Sequence, residues 1–169
     1  GNQYTAFNPT IMASKSYWVG DKFDGQNTAV HFAVSGEDFL VLNIAYQANE
    51  TAVVWCNQIL DSYPDSHAIV ATHMYLNTTG GYGAKGKDNL TWTSNFKDTV
   101  LDTHANVFLT LSGHYYPTSG SRTQVGGRQE LMFNRQVVDS EMGAASLRIL
   151  TFDREEGLID VKTFVIYAK

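Results

Sequence analysis

The chain has 169 residues, 43% of them hydrophobic and 17% charged, with a formal net charge of −5. This is the composition of one globular domain, spanning 1–169, and it excludes intrinsic disorder. The acidic balance and the lack of any basic run longer than two residues exclude nucleic acid as a main partner, and no apolar run approaches the ~20 residues of a membrane span.

Residues 1–26 read as irregular, with turn signals at Asn8-Pro9 and Asp24-Gly25. Ala29-Val30-His31-Phe32-Ala33-Val34 then alternates, Ser35-Gly36-Glu37-Asp38 turns, and Phe39-Leu40-Val41-Leu42-Asn43-Ile44 runs apolar. The pair predicts a hairpin whose second strand is buried on both faces, with His31 in a structural or surface position. Asn49 can cap a helix in which Val53, Cys56, Ile59 and Leu60 form one stripe, ending before Tyr63-Pro64-Asp65. Cys56 reads as a buried apolar residue; as the single cysteine it excludes an internal disulfide and a thiolate cluster. His67-Ala68-Ile69-Val70-Ala71-Thr72 is the next strand, completing a βαβ unit with parallel pairing. Residues 74–88 form a Gly- and Asn-rich loop, a candidate site wall. Trp92, Phe96 and Val100 mark a second amphipathic helix, at whose end His104 complements the helix dipole. Val107-Phe108-Leu109-Thr110-Leu111-Ser112 is another buried strand, and residues 117–127 are turn-rich. Strands are expected at 129–133, 146–152 and 158–168, an antiparallel sheet that finishes the chain.

Two of these strands end alike. One stops at His73 and the other at Gly113-His114. Open α/β sheets keep their sites at the carboxyl ends of strands. Gly113 is expected to turn the backbone sharply so that His114 points into a crevice above the sheet. Two neighbouring tips that each deliver an imidazole make half of a metal site.

The order and spacing of several segments carry a resemblance. They are Asp38-Phe39-Leu40-Val41-Leu42-Asn43, the helix around Trp55, Ala68-Ile69-Val70-Ala71-Thr72-His73, the run from Asn106 to His114, and Leu147-Arg148-Ile149-Leu150-Thr151-Phe152-Asp153. Over residues 27–168 this pattern resembles the C-terminal half of the calcineurin-like metallophosphoesterases. The resemblance implies an α/β fold: a partial α/β/β/α metallophosphoesterase sandwich, a mixed sheet with two helices followed by a C-terminal antiparallel sheet. It implies that His73 and His114 are metal ligands, that the cofactor is a divalent metal (Zn, Mn or Fe), and that a metal-bridging hydroxide attacks phosphorus in line. In the family the fifth segment reads Gly-His-x-His, whereas here the last position is Tyr116, so one ion is weakened or absent. The family's early motifs, Asp-x-His, Gly-Asp and Gly-Asn-His-Asp/Glu, have no full counterpart. The nearest strings, Gly1-Asn2-Gln3, Gly20-Asp21 and Asp65-Ser66-His67, supply no bridging aspartate.

The first function implied is a metal-dependent phosphoester hydrolase. This chain would be its C-terminal half, inactive until a missing N-terminal half brings the other ligands, with Tyr115 and Tyr116 as substrate-binding residues. The alternative is a non-catalytic extracellular binding or assembly module derived from the same fold, self-associating through an exposed sheet edge. A carbohydrate-binding module is suggested only by the aromatic and Asn/Gly-rich loops. No signal-peptide pattern is read, yet three Asn-x-Thr sequons make Asn49, Asn77 and Asn89 candidate glycosylation sites and lean toward an extracellular or secreted protein.

Overall fold

The computed structural model describes residues 8–83, 90–116, 120–134 and 145–166. Its strands are β1 (Trp18–Lys22), β2 (Asn27–Val34), β3 (Glu37–Ile44), β4 (His67–Thr72), β5 (Val107–Ser112), β6 (Ser121–Val125), β7 (Arg128–Met132), β8 (Ala145–Asp153) and β9 (Leu158–Ile166). The first seven form one mixed sheet in the order β1-β2-β3-β4-β5-β7-β6, and β8 and β9 pair as a separate antiparallel sheet. Strands β3, β4, β5 and β7 are parallel; β1, β2 and β6 join them through antiparallel pairings. The chain is therefore mixed α/β with a large mixed sheet, few helices and a small second sheet, as expected.

Local chemistry sets the connections. Ser35 and Gly36 both hold positive φ (53° and 82°), the two-residue turn whose twist suits a β-hairpin. Asn49 accepts from the Ala52 N–H at 3.1 Å and caps a helix, Glu50–Ser62, which crosses from β3 to β4. This helix (α2, after the single turn α1 at Pro9–Met12) buries Ala52, Cys56 and Leu60. A third helix, α3 (Leu90–Phe96), continues as a π-helical turn over Lys97–Leu101, closed by Asp102 N–H to Lys97 O at 2.9 Å. The wider turn places the adjacent residues Val100 and Leu101 together in the core.

One face of the main sheet is closed by these helices. Leu40, Leu42, Ile44, Ala68, Val70 and Val107 form one buried cluster with Cys56, Leu60, Phe96 and Val100. Each large aliphatic there contributes about 1.5–3 kcal/mol by leaving water. The other face meets β8 and β9. A register shift between Ala68 and Ile69 brings both Phe108 and Leu109 toward that side, where Phe152 lies 5.7 Å from the Phe108 ring and 6.4 Å from Phe39.

The structure departs from the sequence expectations at five places. Residues 18–22 and 121–125 are strands, not irregular or turn segments. Strand β7 does not belong to the finishing antiparallel sheet but pairs in parallel with β5. Strand β3 is buried on its helix side only, because the two-strand sheet opposite leaves Phe39 and Val41 half-buried. The 74–88 loop opens with Met74, Tyr75 and Leu76 fully buried, so its first residues are core and not wall. The expected strand at 158–168 is seen to Ile166, and residues 167 and 168 lie outside the described residues.

Candidate metal centre

Strands β4 and β5 are adjacent and parallel, so the residues just beyond Thr72 and Ser112 arrive at one edge. The Gly113 N–H donates to the His73 carbonyl at 3.0 Å and ties the two exits together. Nε2 of His73 then lies 3.0 Å from Nδ1 of His114, the rings nearly perpendicular with centroids 4.9 Å apart. Such a contact makes one nitrogen a donor and the other a lone-pair acceptor. The same gap is one that two nitrogens can span when each lies about 2.1 Å from a shared ion.

The turn that aims His114 is not made by the glycine. Positive φ falls on His114 itself, at 68°, and Gly113 keeps an ordinary conformation. The Tyr115 N–H donates to the Gly113 carbonyl at 2.8 Å, closing a three-residue γ-turn around the histidine. A non-glycine residue in this region costs about 1–3 kcal/mol and persists only where its surroundings over-determine it. Here the two backbone hydrogen bonds to Gly113 do so.

The pair has aromatic walls. The Tyr46 ring lies 5.6 Å from His73 and 5.8 Å from His114, and Tyr115 lies 4.8 Å from His114. Tyr115 also packs on the core cluster, while Tyr116 is 53% exposed. Tyr46 escaped the sequence reading although a signal existed. It follows the third parallel strand, β3, by two residues and lands at the same edge as the two histidines.

Beneath His73 lies a buried polar cluster that sequence reasoning also missed. The Tyr75 hydroxyl donates to Glu130 Oε1 at 3.0 Å, and Arg128 Nε donates to the same oxygen at 2.9 Å. Arg128 donates further to the Leu101 carbonyl at 2.7 Å and to Asp102 at 2.8 Å. Burial, and then the charge of Glu130, push the Tyr75 hydroxyl up, so it stays a donor. The available signal was a pair of opposite charges two positions apart, Glu130 within the expected strand and Arg128 just before it.

The donor set is short. Among the described residues no three His, Cys, Asp or Glu side chains converge. Asp21, the acid of Gly20-Asp21, accepts from the Gly25 N–H at 2.9 Å and closes a turn beside the edge strand β1. His67 stands at the opposite end of β4 and contacts Glu37 at 2.8 Å. Gly1-Asn2-Gln3 lies outside the described residues. The two imidazoles fit the nitrogen preference of zinc, iron or manganese, but they are two ligands where an ion needs four or more.

The remaining candidates have structural partners. His31 faces Asp38 at 3.4 Å and packs on Tyr63. His104 donates from Nδ1 to the Val100 carbonyl at 2.7 Å, at the end of the π-helical turn as expected. Cys56 is fully buried and burial pushes its thiol up to about 12, which makes it inert. Asn49 caps α2 with its side-chain oxygen, Asn77 accepts from Thr79 and Gly81 with its own, and Asn89 lies outside the described residues.

No protein-family model matches the chain. It is 26% identical over 179 residues to the "Uncharacterized protein YvnB" of Bacillus subtilis, an alignment that takes in 95% of this chain and 13% of that protein. The chain thus spans about an eighth of the length of this curated relative. Among solved structures it is similar to a "Putative 5'-Nucleotidase" from Staphylococcus aureus in complex with alpha-ketoglutarate, at a TM-score of 0.52 and 11% identity. That match covers 90% of this chain and 32% of the other. The likeness is one of fold.

Proposed function

We propose that this chain supplies His73 and His114 to a divalent-metal centre that hydrolyses phosphoesters. The observation that carries the proposal is the 3.0 Å approach of two imidazole nitrogens at neighbouring carboxyl ends of a parallel pair. Zinc, manganese or iron bound there would lower the pKa of water and neutralise phosphoryl charge. The chain's own residues do the positioning. Gly113 locks the two loops together, the Tyr75–Glu130–Arg128 cluster holds the residues after His73, and Tyr46 walls the pair. Tyr115 and Tyr116 stand beside His114, where a substrate would lie.

The remaining ligands come, in this reading, from an N-terminal segment or partner chain. The test assays chromogenic phosphomonoesters and diesters with Mn²⁺ or Zn²⁺, the chain joined to its ligand-bearing N-terminal segment. Turnover abolished in His73→Ala and His114→Ala supports the proposal. A protein that binds metal and turns over neither ester class overturns it.

A second reading has its own observation. On the outer side of the β8–β9 hairpin Leu147, Ile149 and Phe164 are 41–50% exposed, and among the described residues each strand pairs only with the other. Such a sheet invites strand addition. This reading is a non-catalytic extracellular module, glycosylated at Asn49, Asn77 and Asn89, that self-associates. Sedimentation as a monomer, with no mass loss on enzymatic deglycosylation of secreted material, rejects it.

A further inference from the structure

A second site lies on the side of the sheet away from the helices, running from the start of β3 and β4 across to β7 and β6. Between the main sheet and the β8–β9 hairpin is a cleft of about 430 Å³, within the size range of small-molecule pockets. Its body is aromatic. Phe39, Phe108 and Phe152 line it, with Phe152 in contact with both other rings. The six residues of β4 separate the His67 end of the cleft from the His73 tip by roughly 20 Å.

The charges at its rim are unevenly matched. Glu37 faces His67 at 2.8 Å and Arg154 at 2.7 Å, so its charge is neutralised within the protein. Asp153 accepts the Glu156 N–H at 3.0 Å. Arg122, like Asp153, has no opposite charge beside it: among the described residues its guanidinium donates only through Nε, to the neutral side-chain oxygen of Gln129 at 3.1 Å. An uncancelled guanidinium, with its two terminal nitrogens unengaged by described residues, therefore borders an aromatic cleft. Guanidinium recognises a carboxylate by paired hydrogen bonds, and the Gln129 bond orients the group for it.

We propose that this cleft binds an aromatic monocarboxylate, its ring against Phe108 and Phe152 and its carboxylate on Arg122. The test titrates the full chain with 1-naphthaleneacetate, 1-naphthaleneethanol and 1-naphthaleneethylamine, followed through backbone amide NMR shifts. Saturable binding of the acid is expected, with shifts at Phe39, Phe108, Arg122 and Leu131, about tenfold tighter than the alcohol and tighter still than the amine. In Arg122→Gln, an exposed position that leaves the fold intact, the acid falls to the affinity of the alcohol and the alcohol is unchanged. Equal affinities in the unmodified chain, or an acid preference that survives Arg122→Gln, would overturn the proposal. So would shifts centred on Tyr46, His73 and His114, or the absence of saturable binding by any of the three. Self-association that rises with protein concentration and shifts the same amides would assign the cleft to a second copy instead.

Discussion

Strand β4 carries a histidine at each end, and the two keep different company. His67 opens the strand and faces the carboxylate of Glu37 at 2.8 Å, with Arg154 on the other oxygen of the same acid. His73 follows the strand and faces a ring nitrogen of a second imidazole at 3.0 Å. A histidine held by a carboxylate has its hydrogen bond and counter-charge already supplied. One held by another imidazole has a neutral partner in place of a counter-charge. Strand direction produces the difference, since β3 and β4 bring Glu37 and His67 together at their starts while β4 and β5 bring His73 and His114 together at their ends. Residue type alone does not separate the two histidines; the end of the strand does.

The largest effect should come from the cluster beneath the His73 end. Arg128 and Glu130 are 6% and 0% exposed, and Tyr75, two residues after His73, hangs on the same carboxylate. Arg128→Met leaves that carboxylate buried without its cation, so urea unfolding should show a loss of about 3–5 kcal/mol. The double variant Arg128→Met/Glu130→Leu removes both charges and should recover most of it. If the single and double variants lose equally, the pair is not what supports this end of the strand.

Metal binding separates the two ends next. His73→Ala and His114→Ala should each weaken zinc or cobalt binding about 100-fold, read by calorimetry, while His67→Ala changes it less than about twofold. Equal losses at both ends would show that an exposed histidine anywhere on β4 suffices. That would remove the case for a site at the carboxyl edge.

What could be read from the sequence follows burial. Strands β3, β4 and β5 and helix α2 sit against the core, so apolar runs and one helical stripe reveal them. Strands β1 and β6 are the sheet's edges, and β6 reads Ser121-Arg122-Thr123-Gln124-Val125 with alternate residues exposed. An edge strand covered on one side carries little apolar signal, so it looked like a turn. The pairing of β7 with β5 was hidden for another reason: parallel neighbours are chosen by tertiary packing, not by adjacency in sequence. Both histidines were legible because they follow recognisable strands. The backbone that aims His114 was not, since Gly113 advertised a turn that its neighbour makes.

That strain gives a smaller test within the histidine pair. His114 holds φ at 68° and His73 does not share that conformation. Glycine adopts positive φ without the Cβ penalty, so His114→Gly should be more stable than His114→Ala by about 1 kcal/mol. At His73 the order should reverse, with alanine the more stable by a comparable margin. The same order at both positions would mean that the γ-turn is not held in solution.

The smallest effect belongs to the other end of β4. The His67 hydrogen bond first, and then the charge of Arg154, hold the Glu37 carboxyl below its ordinary value of 4.5. A carboxyl lowered on folding gives stability that is present above the unfolded value and is lost as pH falls through the lower folded one. Glu37→Gln should therefore melt slightly below the unmodified chain at pH 7, within about 2 °C for so exposed a group. The two melting curves should converge as pH drops through the acid range below 4.5. His73→Gln removes no acid partner, so its offset from the unmodified chain should stay constant over the same interval. A gap that closes for His73→Gln and not for Glu37→Gln would put the carboxylate at the wrong end of the strand and undo the contrast between the two histidines.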